Sequence, residues 1–328
     1  MHVHLALASC AGSSHARPAR RGVRASAALG ARAGPRAPPA ASGERLRELL
    51  RGEEIVVMPS CHDAMTGRLI QEAGFKAAFM SGYAVSYTRL GLPDVGLATY
   101  TEMEETGRNI VNACESLLVI GDGDTGFGGS ANVMRTVEGY ARAGFAGISI
   151  EDQMFPKRCA FAKGVLVEPR GDAVKRMKAA IAARDRMKEA GLDILVVGRT
   201  DCRLAANVDD GFEEAMWRCQ AFQDAGADIV YFEGPQSREE MEALNKVIEV
   251  PTMLAQVEKP DREILSGAVA QDLGYDLLLN GLTLLNVQMA ATREALRQWQ
   301  SGTHPTQLLE FDDLYKTVGF DDYIGLDE

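Results

Sequence analysis

Three acids stand where a pair of parallel strands would deliver them. Asp122 and Asp124 follow the apolar run 117–120, and Glu151 follows the apolar run 146–150. The stretch between, 132–143, has helical spacing. A strand–helix–strand unit is right-handed and sets its two strands parallel, side by side or one apart. The carboxylates at both carboxyl ends therefore converge. Acids packed that closely repel one another, and a bound cation is the usual remedy. Oxygen ligands alone select a hard ion, Mg2+ with Mn2+ as the substitute. The chain reads as an enzyme built around such an ion.

Elements that could position these acids run the length of the chain. Strands are expected at 55–58, 77–80, 117–120, 146–150, 194–197, 229–232, 252–255 and 277–279. Helices are expected at 64–73, 102–114, 132–143, 172–190, 209–225, 238–247, 261–273 and 282–300. Four of them run into Gly74, Gly144, Gly191 and Gly226, the residue type that closes a helix in the left-handed conformation. Eight strands alternating with eight helices predict a (β/α)8 TIM barrel, with a doubly wound sheet as the rival. Barrel chemistry sits at the carboxyl ends of the strands. The polar residues obey that rule: Ser81-Gly82-Tyr83, Asp122, Asp124, Glu151, Arg199-Thr200-Asp201, Glu233, Gln256 and Asn280.

The chain resembles the isocitrate lyase/phosphoenolpyruvate mutase superfamily over about residues 45–300. The resemblance rests on Ser81-Gly82, Gly91-Leu92-Pro93-Asp94, Asp122-Gly123-Asp124-Thr125-Gly126-Phe127-Gly128, Ile150-Glu151-Asp152-Gln153, Lys157-Arg158-Cys159 and Arg199-Thr200-Asp201. It implies that Asp122 binds Mg2+ directly, that Asp124 and Glu151 hold it through water, and that Asp94 joins the water network. Mg2+ keeps several waters, so few direct ligands are expected. The alternative for these acids is helix capping or pairing with Arg. The resemblance also implies an oxo- or hydroxy-carboxylate substrate on which an enolate-like charge develops. Backbone N–H groups at Ser81, Gly82 and Tyr83 would cradle that charge. Arg199 would grip a carboxylate with two parallel hydrogen bonds, unless it is tied up with Glu151 or Glu233. Arg158, Glu233 and Gln256 complete the expected substrate contacts, and Lys157, Cys159, Glu151 and Arg199 the catalytic set.

Cys159 lies in 154–167, long enough to be a lid. Lyases of the family carry Lys-Lys/Arg-Cys-Gly-His there, and their Cys is taken to protonate the carbanion left by C–C cleavage. Lys157-Arg158-Cys159 is kept, whereas Ala160 and Phe161 replace Gly and His. The two cations would lower the thiol pKa. Phe161 suggests a smaller or less polar leaving fragment. After strand seven the family's Asn and Gly-rich turn give way to Gln256-Val257-Glu258-Lys259-Pro260. These features favour a C–C lyase. A phosphonomutase, an oxaloacetate decarboxylase or hydrolase, and a non-catalytic scaffold are the alternatives.

Residues 1–43 carry six Arg, no Lys and no acid. That composition is expected of an organelle transit peptide, directed to the chloroplast stroma or alternatively the mitochondrial matrix. A disordered tail or a mistaken start codon is the competing reading. Without those six charges the net charge falls from −11 to −17. Nucleic acid is not an expected partner, because phosphate binding needs a basic surface. No apolar run has bilayer-spanning length. The six cysteines contain no CxxC pair, which argues against a structural zinc site. No Rossmann fingerprint is present, and the mature part holds only His62, which reads as structural, and His304, which reads as a surface residue, so a Ser-His-Asp triad is not expected. Residues 44–300 are expected to form one catalytic barrel and 301–328 a tail rich in aromatics and acids. The resemblance implies a last helix swapped between subunits of a homodimer or homotetramer.

Overall fold

In the computed structural model, residues 42–260 and 262–324 are described. Strands β1 (Val56–Cys61), β2 (Ala77–Met80), β3 (Leu118–Asp122), β4 (Gly147–Glu151), β5 (Leu195–Thr200), β6 (Ile229–Phe232), β7 (Thr252–Gln256) and β8 (Leu277–Asn280) close in sequence order into a parallel barrel. The expected (β/α)8 architecture is the observed one. β3 and β4 are immediate neighbours, with Asp122 level with Ser149, so their acid-bearing ends adjoin.

Strand alternation explains why the polar residues gather at one rim. Successive side chains point to opposite faces. Val56 and Met58, Ala77 and Phe79, Leu118 and Ile120, Leu195 and Val197, Ile229 and Tyr231, and Leu277 and Leu279 fill the barrel interior as one apolar cluster. The next inward position along those strands is Ser60, Ser81, Asp122, Arg199, Glu233 and Gly281. On β4 it is Glu151, two beyond Ser149. The same period that packs the core thus delivers the polar layer at its open end. The outward set, including Val119, Ile148, Ile150 and Val196, packs against the surrounding helices.

Those helices are α1 (Ser42–Leu50), α2 (Ala64–Glu72), α3 (Gly82–Val85, continued by a π-turn at Ser86–Leu90), α4 (Tyr100–Ala113), α5 (Ser130–Ala143), α6 (Arg170–Glu189), α7 (Gly211–Ala225), α8 (Arg238–Val247), α9 (Gly267–Asp272), α10 (Thr283–Gln300), α11 (Phe311–Val318) and α12 (Phe320–Ile324). Gly74, Gly144, Gly191 and Gly226 all have positive φ, as their positions predicted. Helices α3, α11 and α12 add to the eight expected, and two further elements differ from the sequence reading. Helix α9 is half as long as the expected 261–273, because Gln256 bonds both the N–H and the C=O of Leu265 and Ser266 then caps the helix. Helix α1 was not anticipated. Its Leu46 enters the interior cluster at the amino end of the barrel, and its Arg47 pairs with Asp193 and Asp228. The expected transit peptide lies outside the described residues except for Ser42 and Gly43, which open α1. No helix among the described residues is long and apolar enough to cross a membrane.

Helix α10 leaves the barrel after one turn. Only Leu285 is buried, while Val287, Leu296 and Trp299 are 51–59 % exposed. The tail returns to its own barrel: α11 lies against α2, with Arg68 donating to the carbonyl of Thr317 at 3.2 Å.

Candidate active site

The three acids come together. Carboxylate oxygens of Asp122, Asp124 and Glu151 lie within 4.8 Å of one another, and all three residues are buried. Asp122 ends β3, and its carbonyl accepts a 2.8 Å hydrogen bond from the Tyr140 hydroxyl. That ring stacks on Phe145 at 4.5 Å, so the core props the strand end. Asp124 has φ +46°, the left-handed region that Asp tolerates better than most residues. Glu151 is 2 % exposed, and its Oε1 has no hydrogen-bond partner. Burial raises the Glu151 pKa well above the carboxylate range, with Arg199 opposing. Burial likewise raises Asp124, with Lys157 opposing and Asp122 and Asp94 adding to it.

This donor set fits a hard divalent cation. It is all oxygen, it holds an unsatisfied buried carboxylate oxygen, and it has room kept by Gly82. A Cβ at Gly82 would lie 3.0 Å from Asp122 Oδ2 and 3.2 Å from Asp124 Oδ1. Lys157 reaches into the same cluster from the lid, paired with Asp94 and 2.7 Å from Asp124. Burial works against its ammonium, but Asp124, Asp94 and Glu151 outweigh burial and keep it charged. Asp94 therefore meets the cluster through Lys157.

One cavity is lined by Ser81, Tyr83, Asp94, Asp122, Glu151, Lys157, Arg158, Cys159, Phe161, Arg199 and Glu233. Most of the expected site residues thus face a common space. Several do so in ways the sequence did not predict. The Ser81 N–H is engaged by Cys61 O at 3.1 Å, and the Gly82 N–H points to Asp122 Oδ2 at 3.3 Å. The cradle at the start of α3 is correspondingly narrower. Arg199 does not offer a free two-pronged edge. Its Nε and Nη2 are held by Asp201 at 2.7 and 3.0 Å, leaving Nη1 facing Glu151 at 3.4 Å and Asp122 at 4.0 Å. Glu233 sits 3.6 Å from Arg199 Nη2 and accepts from Tyr231. Burial pushes its pKa up to about 7.

Gln256 is a correction. Its amide is fully engaged by Leu265 and Asn280, and it lines a neighbouring cavity instead. Cys159 is another. Lys157 is turned to Asp94 and Asp124, and the exposed Arg158 donates to Lys163 O at 2.8 Å. The expected lowering of the thiol is not found: burial raises its pKa, with the Phe161 backbone opposing.

The sequence reading gave no role to the residues behind this layer. Gln153 holds the lid by bonding both backbone groups of Arg158 at 2.9 Å, and it also reaches Asp201. Asp152 accepts from Thr200, the Asp201 N–H and Arg218, fixing the end of β5. Both lie within the Ile150–Gln153 segment already singled out, and a buried polar run directly after a strand is the signal that could have marked them.

Known proteins resemble the chain in sequence and in fold. The family model described as phosphoenolpyruvate phosphomutase matches residues 46–300. A 2,3-dimethylmalate lyase of Eubacterium barkeri is 36 % identical over 87 % of this chain and 94 % of its own. The chloroplastic carboxyvinyl-carboxyphosphonate phosphorylmutase of Arabidopsis thaliana is 31 % identical over 86 % of this chain and 83 % of its own. The solved structure of oxaloacetate acetylhydrolase in complex with the inhibitor 3,3-difluorooxalacetate superposes with a TM-score of 0.83 at 31 % identity, covering 88 % of this chain and 97 % of that one. With its acids, lid and guanidinium meeting at the open end of an eight-stranded barrel, the chain belongs to the phosphoenolpyruvate phosphomutase family of the isocitrate lyase/PEP mutase superfamily.

Proposed function

We propose that this protein is a Mg2+-dependent lyase that cleaves or forms a C–C bond in a small 2-oxo- or 2-hydroxy-carboxylate, through an enolate-like charge on the substrate. The observation that carries the reading is that Cys159 lines the same cavity as Asp122 and Glu151. A proton donor and a cation site share one small space.

Asp122, with Asp124 and Glu151, would hold the ion, and Mn2+ suits the same oxygen set. When bound, the ion supplies a Lewis acid for the substrate oxygens. Arg199 Nη1 orients a carboxylate, and Asp201 keeps that guanidinium aimed. The start of α3, where Tyr83 lines the cavity, would supply backbone N–H to developing negative charge. The lid excludes water. Cys159, held neutral by burial, gives its proton to the carbon released on cleavage. Replacing Asp201 with Asn frees Arg199 to swing, and kcat/KM falls by about 100-fold as the carboxylate loses its orientation. Steady-state kinetics with Asp201→Glu, which restores much of the rate, separates aiming from mere stability.

The test of the function is a panel of malate- and citrate-type acids with a Mg2+/EDTA control, scored for pyruvate, glyoxylate or oxalate. Release of one of these, abolished by EDTA, supports the lyase. A product with a P–C bond by phosphorus NMR, made from phosphoenolpyruvate, makes it a phosphonomutase instead. No turnover and no Mg2+ binding leaves a scaffold.

The Arg-rich, acid-free segment 1–43 supports delivery to the chloroplast stroma, as does the chloroplastic relative. A fluorescent fusion that collects in mitochondria corrects the compartment. The exposed apolar face of α10 supports a homodimer or homotetramer in which a second copy covers it. Light scattering gives the mass of two or more chains, and a monomer at micromolar concentration rejects this.

A further inference from the structure

The two places where this chain departs from the lyase pattern, Phe161 on the lid and the segment after β7, meet in space. The Phe161 ring has Lys259 Nζ 5.0 Å from its centroid and the Arg262 guanidinium carbon at 5.1 Å. Both lie in the range of a cation–π contact. Arg262 is held from behind by donating to Pro235 O at 2.9 Å. Neither cation forms an ion pair with a carboxylate of any described residue, although its neighbour Arg238 is paired with Glu263 at 2.7 Å.

Phe161 is also a wall common to two cavities. On one side is the acid-lined cavity, whose remaining walls include Ala255, Val257, Leu279 and Leu282. On the other lies a cavity of about 390 Å3 that Arg262, Gln236 and Ser237 line. Arg262 reaches only the outer one. The inner cavity is therefore charged where the three acids and Arg199 stand and apolar where Phe161 closes it. Two cations that form no ion pair with a described carboxylate stand against that ring in a strongly acidic protein.

We propose that Phe161 is a specificity gate, and that Lys259 and Arg262 behind it form a latent subsite for a carboxylate at the substrate's end remote from the three acids. This rests on the reading of the inner cavity as the substrate site. With the ring in place, the enzyme takes short acids whose remote end is small or apolar. Without it, a remote carboxylate reaches the two cations and is bound by charge-assisted hydrogen bonds.

The experiment is calorimetric binding of two probes to the full-length protein with Mg2+: oxalate, which is short, and tricarballylate, which carries a remote carboxylate. The quantity read is the ratio of their affinities. Phe161→Ala shifts that ratio about tenfold toward tricarballylate. Phe161→His shifts it the same way, and Phe161→Leu, which keeps a wall, does not. Adding Lys259→Ala and Arg262→Ala to Phe161→Ala removes the shift. An unaltered ratio in both Phe161→Ala and Phe161→His, with oxalate still bound, overturns the gate alone. Failure of the unmodified protein to bind oxalate with Mg2+ overturns the substrate site, and the gate with it.

Discussion

Asp122→Ala lowers turnover by roughly 10³-fold or more, while the barrel stays folded. The size follows from what the carboxylate does. A bound cation contributes several kcal/mol of transition-state stabilisation, and about 4 kcal/mol is a factor of 10³. Asp122 is the member of the acid set best placed to be its direct ligand. It ends β3, it takes the Gly82 N–H, and Arg199 approaches it only to 4.0 Å. The strand itself does not depend on the side chain, since Tyr140 holds the Asp122 carbonyl. Stability supplies a second readout. Mg2+ at 100 times its dissociation constant should raise the unfolding free energy of the unmodified protein by about 2.7 kcal/mol. In Asp122→Ala that increment should vanish. In EDTA the two proteins should unfold within about 1 kcal/mol of each other, because the lost carboxylate was one of several mutually repelling acids. Equal turnover of the variant, or an unfolding midpoint that ignores Mg2+ in the unmodified protein, refutes the assignment of Asp122.

The barrel was legible because its physics is periodic. Buried parallel strands read as short apolar runs, and each expected run lies within a few residues of an observed strand. The acids were legible for the same reason, since a strand's carboxyl end is the next inward step of a period-2 pattern. What could not be read was the partner of each charged group. Arg199 has Asp122, Glu151, Asp201 and Glu233 all within 4.0 Å. Which of them takes its two-pronged edge depends on rotamers that spacing does not encode. Gln256 looked like a substrate ligand by position, yet the loop after β7 folds back and claims it. Lys157 and Arg158 adjoin Cys159 in sequence, but the lid backbone turns one inward and the other out to solvent. Proximity along the chain was a poor guide to side-chain direction there, and burial raises the thiol's pKa. Helix α1 was hidden by the composition of the segment before it, although Leu46, Leu49 and Leu50 carry helical spacing.

Cys159→Ser is the sharper test of the chemistry, and its largest effect falls on kcat. Positioned general acids contribute about 10²–10⁴-fold, and a serine hydroxyl is a far weaker acid than a thiol. We expect kcat to fall by roughly 10³-fold with KM little changed, since Cys159 lines the cavity without holding a charged group of the substrate. A KM effect of similar size would instead make the residue a lid-packing element. The direction of the thiol's pKa bears on this choice. Had Lys157 and Arg158 lowered it, the residue would be a thiolate and fit for nucleophilic attack. Burial raises it, so the proton is present to be given. Reaction in D2O separates these roles further. A donor on one wall of a closed cavity delivers to one face of the carbanion, so the unmodified protein should place a single deuterium with one configuration. The serine variant, protonated by whatever water enters, should give both. Stereospecific product from Cys159→Ser at an undiminished rate would remove Cys159 from the mechanism and leave the lid only its role of excluding solvent.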